Sequence, residues 1–215
     1  MLAAVIFDVD GTLVRYKFDV FGARTAMVRA LEDRSYDVTG LGPETPIQKI
    51  LDAAKSQSGE SYSSLRPELY SILDAVEEGN ASSATVFPGT HETLDALSAK
   101  GVRLGIVTNS GKKAARRILE RNGLVSKFEL VLTRDDVFQM KPHPEGLLRA
   151  VAGLASTPLS ACYVGDSVQD VTAAREAGLR IVSVATGSYT EVALRSAGAP
   201  MVVSSLPEIL GVLEV

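Results

Sequence analysis

With 215 residues, 46% of them hydrophobic, and a net charge of -4, the chain is too apolar for wholesale disorder. It is also too acidic for a nucleic-acid binder, whose phosphate contacts need clustered Lys and Arg. A single cysteine, Cys162, excludes an intrachain disulfide, no apolar stretch reaches the ~20 residues of a membrane span, and the N-terminus lacks the basic region of a signal peptide, so a cytoplasmic protein is expected.

Leu2 to Phe7 is a short continuous apolar run with Val and Ile, the pattern of a strand buried on both faces of a parallel sheet. It ends in Asp8-Val9-Asp10-Gly11-Thr12. Between about Arg15 and Ser83 no strand pattern occurs, but three helices are predicted. Phe21 to Asp33 sets Phe21, Val28 and Leu31 on one apolar side; Thr45-Pro46-Ile47-Gln48 reads as a capping box with proline in the first helical position; Pro67 to Glu78 carries Leu69, Ile72, Leu73 and Val76 at helical spacing. These helices read as a small inserted cap, residues 15–83, with a linker near Asn80 to Thr85. The alternative is that they cover one face of the sheet. The remainder, 1–14 and 84–215, is the core.

From Ala84 onward strands and helices alternate. Thr90 can cap a helix to Lys100, closed by Gly101; Arg103 to Thr108 is a strand; a helix over 111–122 stops at Gly123. That helix carries Lys112, Lys113, Arg116 and Arg117, a solvated face at helical spacing. Phe128 to Leu132 is a strand, Pro144 opens a helix to Leu154, and Ala161 to Val164 is a strand in which Cys162 is a small core thiol. Val168 to Ala177 is a helix closed by Gly178, Ile181 to Val184 a strand, and Pro200 to Val203 a last short one before a terminal helix. Strands separated by single helices imply right-handed crossovers and an α/β, doubly wound parallel sheet.

In such sheets ligands bind beyond the carboxyl ends of the strands. Asp8, Asp10, Gly11 and Thr12 follow the first strand, Thr108 and Asn109-Ser110-Gly111 the second, and Asp166 and Asp170 the one containing Cys162, while Lys141 stands before Pro144. Gathered together, Asp8, Asp166 and Asp170 would repel, two unit charges ~4 Å apart costing roughly 4 kcal/mol at an effective dielectric of 20. An all-oxygen donor set without a Cys or His cluster points to Mg²⁺, which keeps waters and shares its sphere with phosphate. The turns at Gly11-Thr12 and Asn109-Ser110-Gly111 are expected to aim backbone N–H groups at an anion, with the Thr108 hydroxyl and the Lys141 ammonium adding donors. Asp8 would stay ionised and attack phosphorus, while Asp10 would hold a proton for the leaving oxygen and later take one from water.

These residues resemble the four motifs of the haloacid dehalogenase-like superfamily of phosphohydrolases: DVDGT at Asp8–Thr12, Thr108 in IVTNS, Lys141, and GDSVQD with Asp166 and Asp170. The helices between the first and second motifs are similar to the cap of its phosphoglycolate phosphatase and β-phosphoglucomutase subgroup. The resemblance implies a phosphoaspartyl intermediate and Mg²⁺ held by Asp8, the backbone carbonyl of Asp10, and Asp166; Asp170 is either a ligand or a partner behind the ligands. An acid at Asp10 argues against the dehalogenating branch. The expected activity is Mg²⁺-dependent hydrolysis of a small phosphorylated metabolite, since a lid suits a small substrate. A phosphomutase and a non-catalytic phospho-receiver or binding protein are the alternatives. Candidate cap contacts are Arg15, Tyr16, Lys17, Arg24 and Arg66, each of which equally suits solvated surface or a hinge. The sequence leaves monomer and dimer open.

Overall fold

The computed structural model describes residues 2–16 and 18–213, so Lys17 lies outside the described residues. Strand β1 (Ala4–Phe7) is followed by β2 (Val14–Arg15) and three helices, α1 (Val20–Glu32), α2 (Ile47–Ser58) and α3 (Tyr62–Ala81). Then come β3 (Thr85–Val86), α4 (Thr90–Ala99), β4 (Arg103–Val107), α5 (Lys112–Arg121), β5 (Leu130–Leu132) and α6 (Glu145–Gly153). The chain continues through β6 (Ala161–Gly165), α7 (Val168–Glu176), β7 (Arg180–Val184), α8 (Glu191–Ser196), β8 (Val202–Val203) and α9 (Ile209–Val212).

Six strands form one sheet in the order β5-β4-β1-β6-β7-β8, with every pairing parallel. The α/β doubly wound sheet expected from the alternating pattern is therefore present. The order runs outward from β1 in both directions, which makes the end of β1 a switch point of the kind that forms ligand crevices. Its register sets Phe7 opposite Ile106 on one side and Val164 on the other, so the loops after β1, β4 and β6 begin level with one another.

Alternate side chains of the central strands feed opposite faces. Val5, Phe7, Cys162 and Val164 join one buried cluster with Leu94, Ile106 and Ile118. Ala4, Ile6, Ala161 and Tyr163 join another with Leu147, Val151 and Val171. Cys162 is thus a core thiol, and burial pushes its pKa up to about 12. Helices α1, α2 and α3 surround a third cluster built on Met27, Leu31, Ile50, Leu51, Leu69 and Leu73, to which Met140, next to Lys141, also contributes. No helix of the described residues is long and apolar enough to cross a membrane.

Several local expectations are corrected. No strand was expected at the cap boundaries, yet Val14–Arg15 and Thr85–Val86, the latter starting at the last residue of the expected linker, form an antiparallel ribbon at the base of the helical segment. Helix α3 does not begin at Pro67 but runs through it from Tyr62, the preceding 3₁₀ turn and the buried Leu65 and Leu69 carrying the chain past one missing N–H donor. Thr45 is not a helix cap. The N-cap of α2 is Pro46, whose carbonyl accepts from Ile50 N–H, while the Thr45 hydroxyl accepts from Gly42 N–H in the preceding turn. Gly89, in the left-handed region at φ 79°, takes the N-cap position assigned to Thr90, and Thr90 donates its hydroxyl to Phe87 O and Leu13 O instead. Strands β5 and β8 are shorter than expected, and the six-residue helix α8 was not foreseen.

Candidate active site

The acids meet. One carboxylate oxygen from each of Asp8, Asp166 and Asp170 lies within 4.8 Å of the other two, and all three residues are buried. Lys141, 4% exposed, reaches into the same cluster from the loop before α6: its Nζ stands 3.0 Å from Asp8 Oδ1 and 2.7 Å from Asp170 Oδ1. It also donates to the Tyr163 hydroxyl at 2.8 Å.

Asp170 and Asp166 differ in how the protein satisfies them. Asp170 Oδ1 receives Lys141 Nζ and the Tyr163 hydroxyl, and its Oδ2 receives the backbone N–H and the hydroxyl of Ser167 at 2.9 and 2.6 Å. Ser167 and Asp170 form a reciprocal capping box at the start of α7. Helix capping therefore falls to Ser167 and Asp170, which frees Asp166 from that work. Asp166 accepts the Thr12 hydroxyl on Oδ1 at 3.0 Å.

Burial and mutual repulsion shape the protonation states. Burial pushes the Asp166 pKa up to about 9, with the Asp170 and Asp8 charges adding to it. Asp8 rises to about 6, burial outweighing the Lys141 charge. Burial, then the Asp8 and Glu77 charges, lift Asp10 to about 7. Burial likewise opposes ionisation of Asp170, yet Lys141 and the Ser167 and Tyr163 hydrogen bonds hold it below the usual carboxylate range. One buried ammonium thus faces several buried carboxylates, all hard oxygen donors. That donor set fits a divalent hard cation, whose binding displaces the protons that burial otherwise keeps on the acids.

The other expected site residues divide into those at the cluster and those occupied elsewhere. Thr12 and Thr108 are buried, and Thr108 follows β4 directly. Four of the backbone donors expected to converge on an anion are engaged within the protein: Gly11 N–H bonds to Val14 O, Thr12 N–H to Val9 O, Ser110 N–H to the Thr108 hydroxyl, and Gly111 N–H to Glu77 Oε2. The Asn109 side chain brackets the Lys141 backbone, accepting from Lys141 N–H at 3.0 Å and donating to Lys141 O at 2.9 Å. Among the cap candidates, exposed Arg15 lies over the Phe87 ring and Arg24 over Phe21 while donating to Pro43 O. The buried Tyr16 donates its hydroxyl to Glu77 O at 2.7 Å, and its backbone N–H bonds to Asp10. Arg66 joins α3 to the loop before Lys141 by donating to Val137 O at 2.6 Å.

Three contributors escaped the sequence reading. Tyr163 supports Lys141 and Asp170 from inside β6. Glu77 and Arg134 form a buried ion pair at 2.6 Å that joins α3 to the loops after β4 and β5. The signal for Glu77 was available: it continues the buried Leu69–Leu73 stripe, where a carboxylate needs a partner.

A family model described as haloacid dehalogenase-like hydrolase matches residues 5–184. The chain belongs to this family. This hydrolase is 32% identical over 216 residues to a phosphoglycolate phosphatase of Nitrosococcus oceani, covering 97% of this chain and 95% of the relative. It is 30% identical over 220 residues to an N-acetylmuramic acid 6-phosphate phosphatase of Pseudomonas aeruginosa, covering 99% and 95%. Its fold superposes on a Thermotoga maritima crystal structure provisionally described as a β-phosphoglucomutase, with a TM-score of 0.66, 26% identity, and 99% of both chains covered.

Proposed function

We propose that this hydrolase is a Mg²⁺-dependent phosphatase that releases inorganic phosphate from a small phosphorylated metabolite through an aspartyl-phosphate intermediate. The observation that carries this reading is the meeting of Asp8, Asp166 and Asp170 around the Lys141 ammonium at the switch point of the sheet. Relatives matched over nearly the whole chain and named as phosphatases of small phosphorylated molecules support it.

Asp8 and Asp166, with the backbone carbonyl of Asp10, would hold the cation; Asp170, with both oxygens already taken by protein donors, would hold Lys141 in place. When bound, the divalent cation offsets the negative charge of the substrate phosphate and of the acids around it. An Asp8 carboxylate oxygen attacks phosphorus as the bond from phosphorus to the alcohol oxygen breaks, and Asp10 gives its proton to that oxygen. Asp10 then takes a proton from water, the water oxygen attacks phosphorus, and the Asp8–phosphorus bond breaks to restore the carboxylate. The raised pKa of Asp10, about 7, suits a group that must both give and take a proton near neutrality. Thr108 and Lys141 supply donors at the phosphate, while Thr12 spends its hydroxyl on Asp166. Residues 15–83 would act as the cap, and the single buried cysteine accords with a reducing, cytoplasmic setting.

The test is hydrolysis of p-nitrophenyl phosphate by the wild-type chain and Asp8→Asn, each with Mg²⁺ and with EDTA. Phosphate release is expected from the wild type with Mg²⁺ alone; release that survives EDTA or the substitution sinks the reading. The likeness to the Thermotoga maritima protein favours one second reading, phosphoryl transfer to a sugar hydroxyl in place of water. Isomerisation of β-glucose 1-phosphate without phosphate release would select it.

A further inference from the structure

We propose that Thr186 and Gly187, in the loop after β7, are positioning residues that set the Asp166 carboxylate within the acidic cluster. The inference rests on the cation-binding part of the proposed function, and both residues lie beyond the stretch, 5–184, that carries the family match.

Asp166 packs against two pieces of bare backbone. A Cβ added to Gly187 would stand 1.7 Å from Asp166 Oδ2 and 2.6 Å from its Cγ. A Cβ on Gly11 would stand 2.3 Å from the same oxygen. The Oδ2 end of the carboxylate therefore rests directly against the main chain at two points, while Thr12 fixes its other oxygen. The two walls are tied together, because the Thr186 hydroxyl donates to Gly11 O at 2.5 Å. This bond is the link between the loop after β7 and the loop that carries Asp8 and Asp10.

The two glycines do not serve the same purpose. Gly11 has φ 78°, which favours glycine whatever stands nearby. Gly187 is not among the residues with positive φ, so its backbone tolerates alanine. The contact that excludes a side chain at 187 is the Asp166 carboxylate itself. A methyl group there leaves the loop its conformation and obliges the carboxylate to swing away from Gly187. Mg²⁺ demands near-ideal octahedral geometry with short ligand bonds, so a displaced carboxylate weakens binding. Supporting residues behind metal ligands commonly matter 10- to 100-fold, roughly the size expected here.

The experiment titrates Mg²⁺ alone, without substrate, into the full-length wild type, Gly187→Ala, Thr186→Val, Thr186→Ser and Asp166→Asn by isothermal calorimetry, with thermal midpoints in EDTA to confirm folding. Gly187→Ala is expected to bind Mg²⁺ ~10–100-fold more weakly. Thr186→Val should shift in the same direction by less, and Thr186→Ser should keep wild-type affinity because it keeps the hydroxyl. Wild-type isotherms from both Gly187→Ala and Thr186→Val overturn the inference and leave the cation reading intact. A wild type that binds no Mg²⁺, or an Asp166→Asn that binds it unchanged, overturns both. If Gly187→Ala fails to fold, Thr186→Val decides by the same criterion.

Discussion

Two buried ionic clusters lie on either side of the loop after β4, and they close their charge differently. At the seam between α3 and α5, Arg134 meets Glu77, Asp74 and Asn109 O, and the second oxygen of Glu77 accepts Gly111 N–H at the start of α5. Glu77 and Arg134 offset each other at 4% and 1% exposure, and Asp74 still sees water. The helix N-terminus adds further positive potential for Glu77. Beyond the strand ends, among the described residues, Lys141 is the one cation paired with the cluster of Asp8, Asp166 and Asp170, and burial, with the Asp170 and Asp8 charges adding to it, pushes the Asp166 pKa up to about 9. A cluster that only joins elements balances itself with protein groups. The acidic cluster, proposed to take up a cation and then a phosphate, is left short of positive charge among the described residues.

The sharpest way to break this contrast is Arg134→Ala. It strands Glu77 buried without its cation, and breaking a buried pair from one side costs about 3–5 kcal/mol. The loss should appear as a lower urea midpoint. Arg134→Met combined with Glu77→Leu should recover most of it, because a closed buried pair differs little from an apolar replacement of similar volume. A loss near zero for Arg134→Ala would show that the seam is not a self-balanced cluster.

The acidic cluster should behave in the opposite sense. In the metal-free protein the Asp166 pKa is raised from 3.8 to about 9, so between those values the folded state holds more protons than the unfolded chain. Its contribution to stability therefore falls as pH rises across that window. Asp166→Asn removes this term. Its thermal midpoint in EDTA should exceed that of the wild type, by more at pH 8 than at pH 5. If Asp166 holds the ion as proposed, adding Mg²⁺ should then raise the wild-type midpoint and leave the variant unmoved.

The sequence and the structure agree where hydrophobic pattern and punctuation coincide. Ala4–Phe7, Arg103–Val107 and Ala161–Gly165 are buried runs, each followed at once by polar residues, which made both the sheet and the gathering of strand ends readable. The ribbon of Val14–Arg15 and Thr85–Val86 was not readable, because two-residue strands have no periodicity and their pairing depends on the intervening helices folding back. Proline misled at α3 because Pro67 suits a helix start, whereas here packing of Leu65 and Leu69 outweighs one lost hydrogen bond. Glu77 was visible only as an anomaly on an apolar stripe, and its partner Arg134 stands 57 residues away with no local mark. Gly187 carries no signal in one dimension, since its meaning lies in a carboxylate that arrives from another strand.

The smallest effect belongs to Tyr16, which touches both the seam and the loop after β1. Its backbone N–H bonds to Asp10 while its hydroxyl bonds to Glu77 O, so one residue connects the loop after β1 to α3. Burial, with the Glu77 and Asp10 charges, drives its phenol pKa upward, and the group remains a neutral donor. Tyr16→Phe removes only the hydroxyl and should cost about 1 kcal/mol, the usual net worth of one internal hydrogen bond. KM for p-nitrophenyl phosphate should stay within twofold of wild type, because the hydroxyl is spent on α3 rather than offered to a substrate. A KM rise with an unchanged urea midpoint would reverse that assignment and make Tyr16 a substrate contact; a fall in the midpoint alone would place it with Arg134 and Glu77 in the seam.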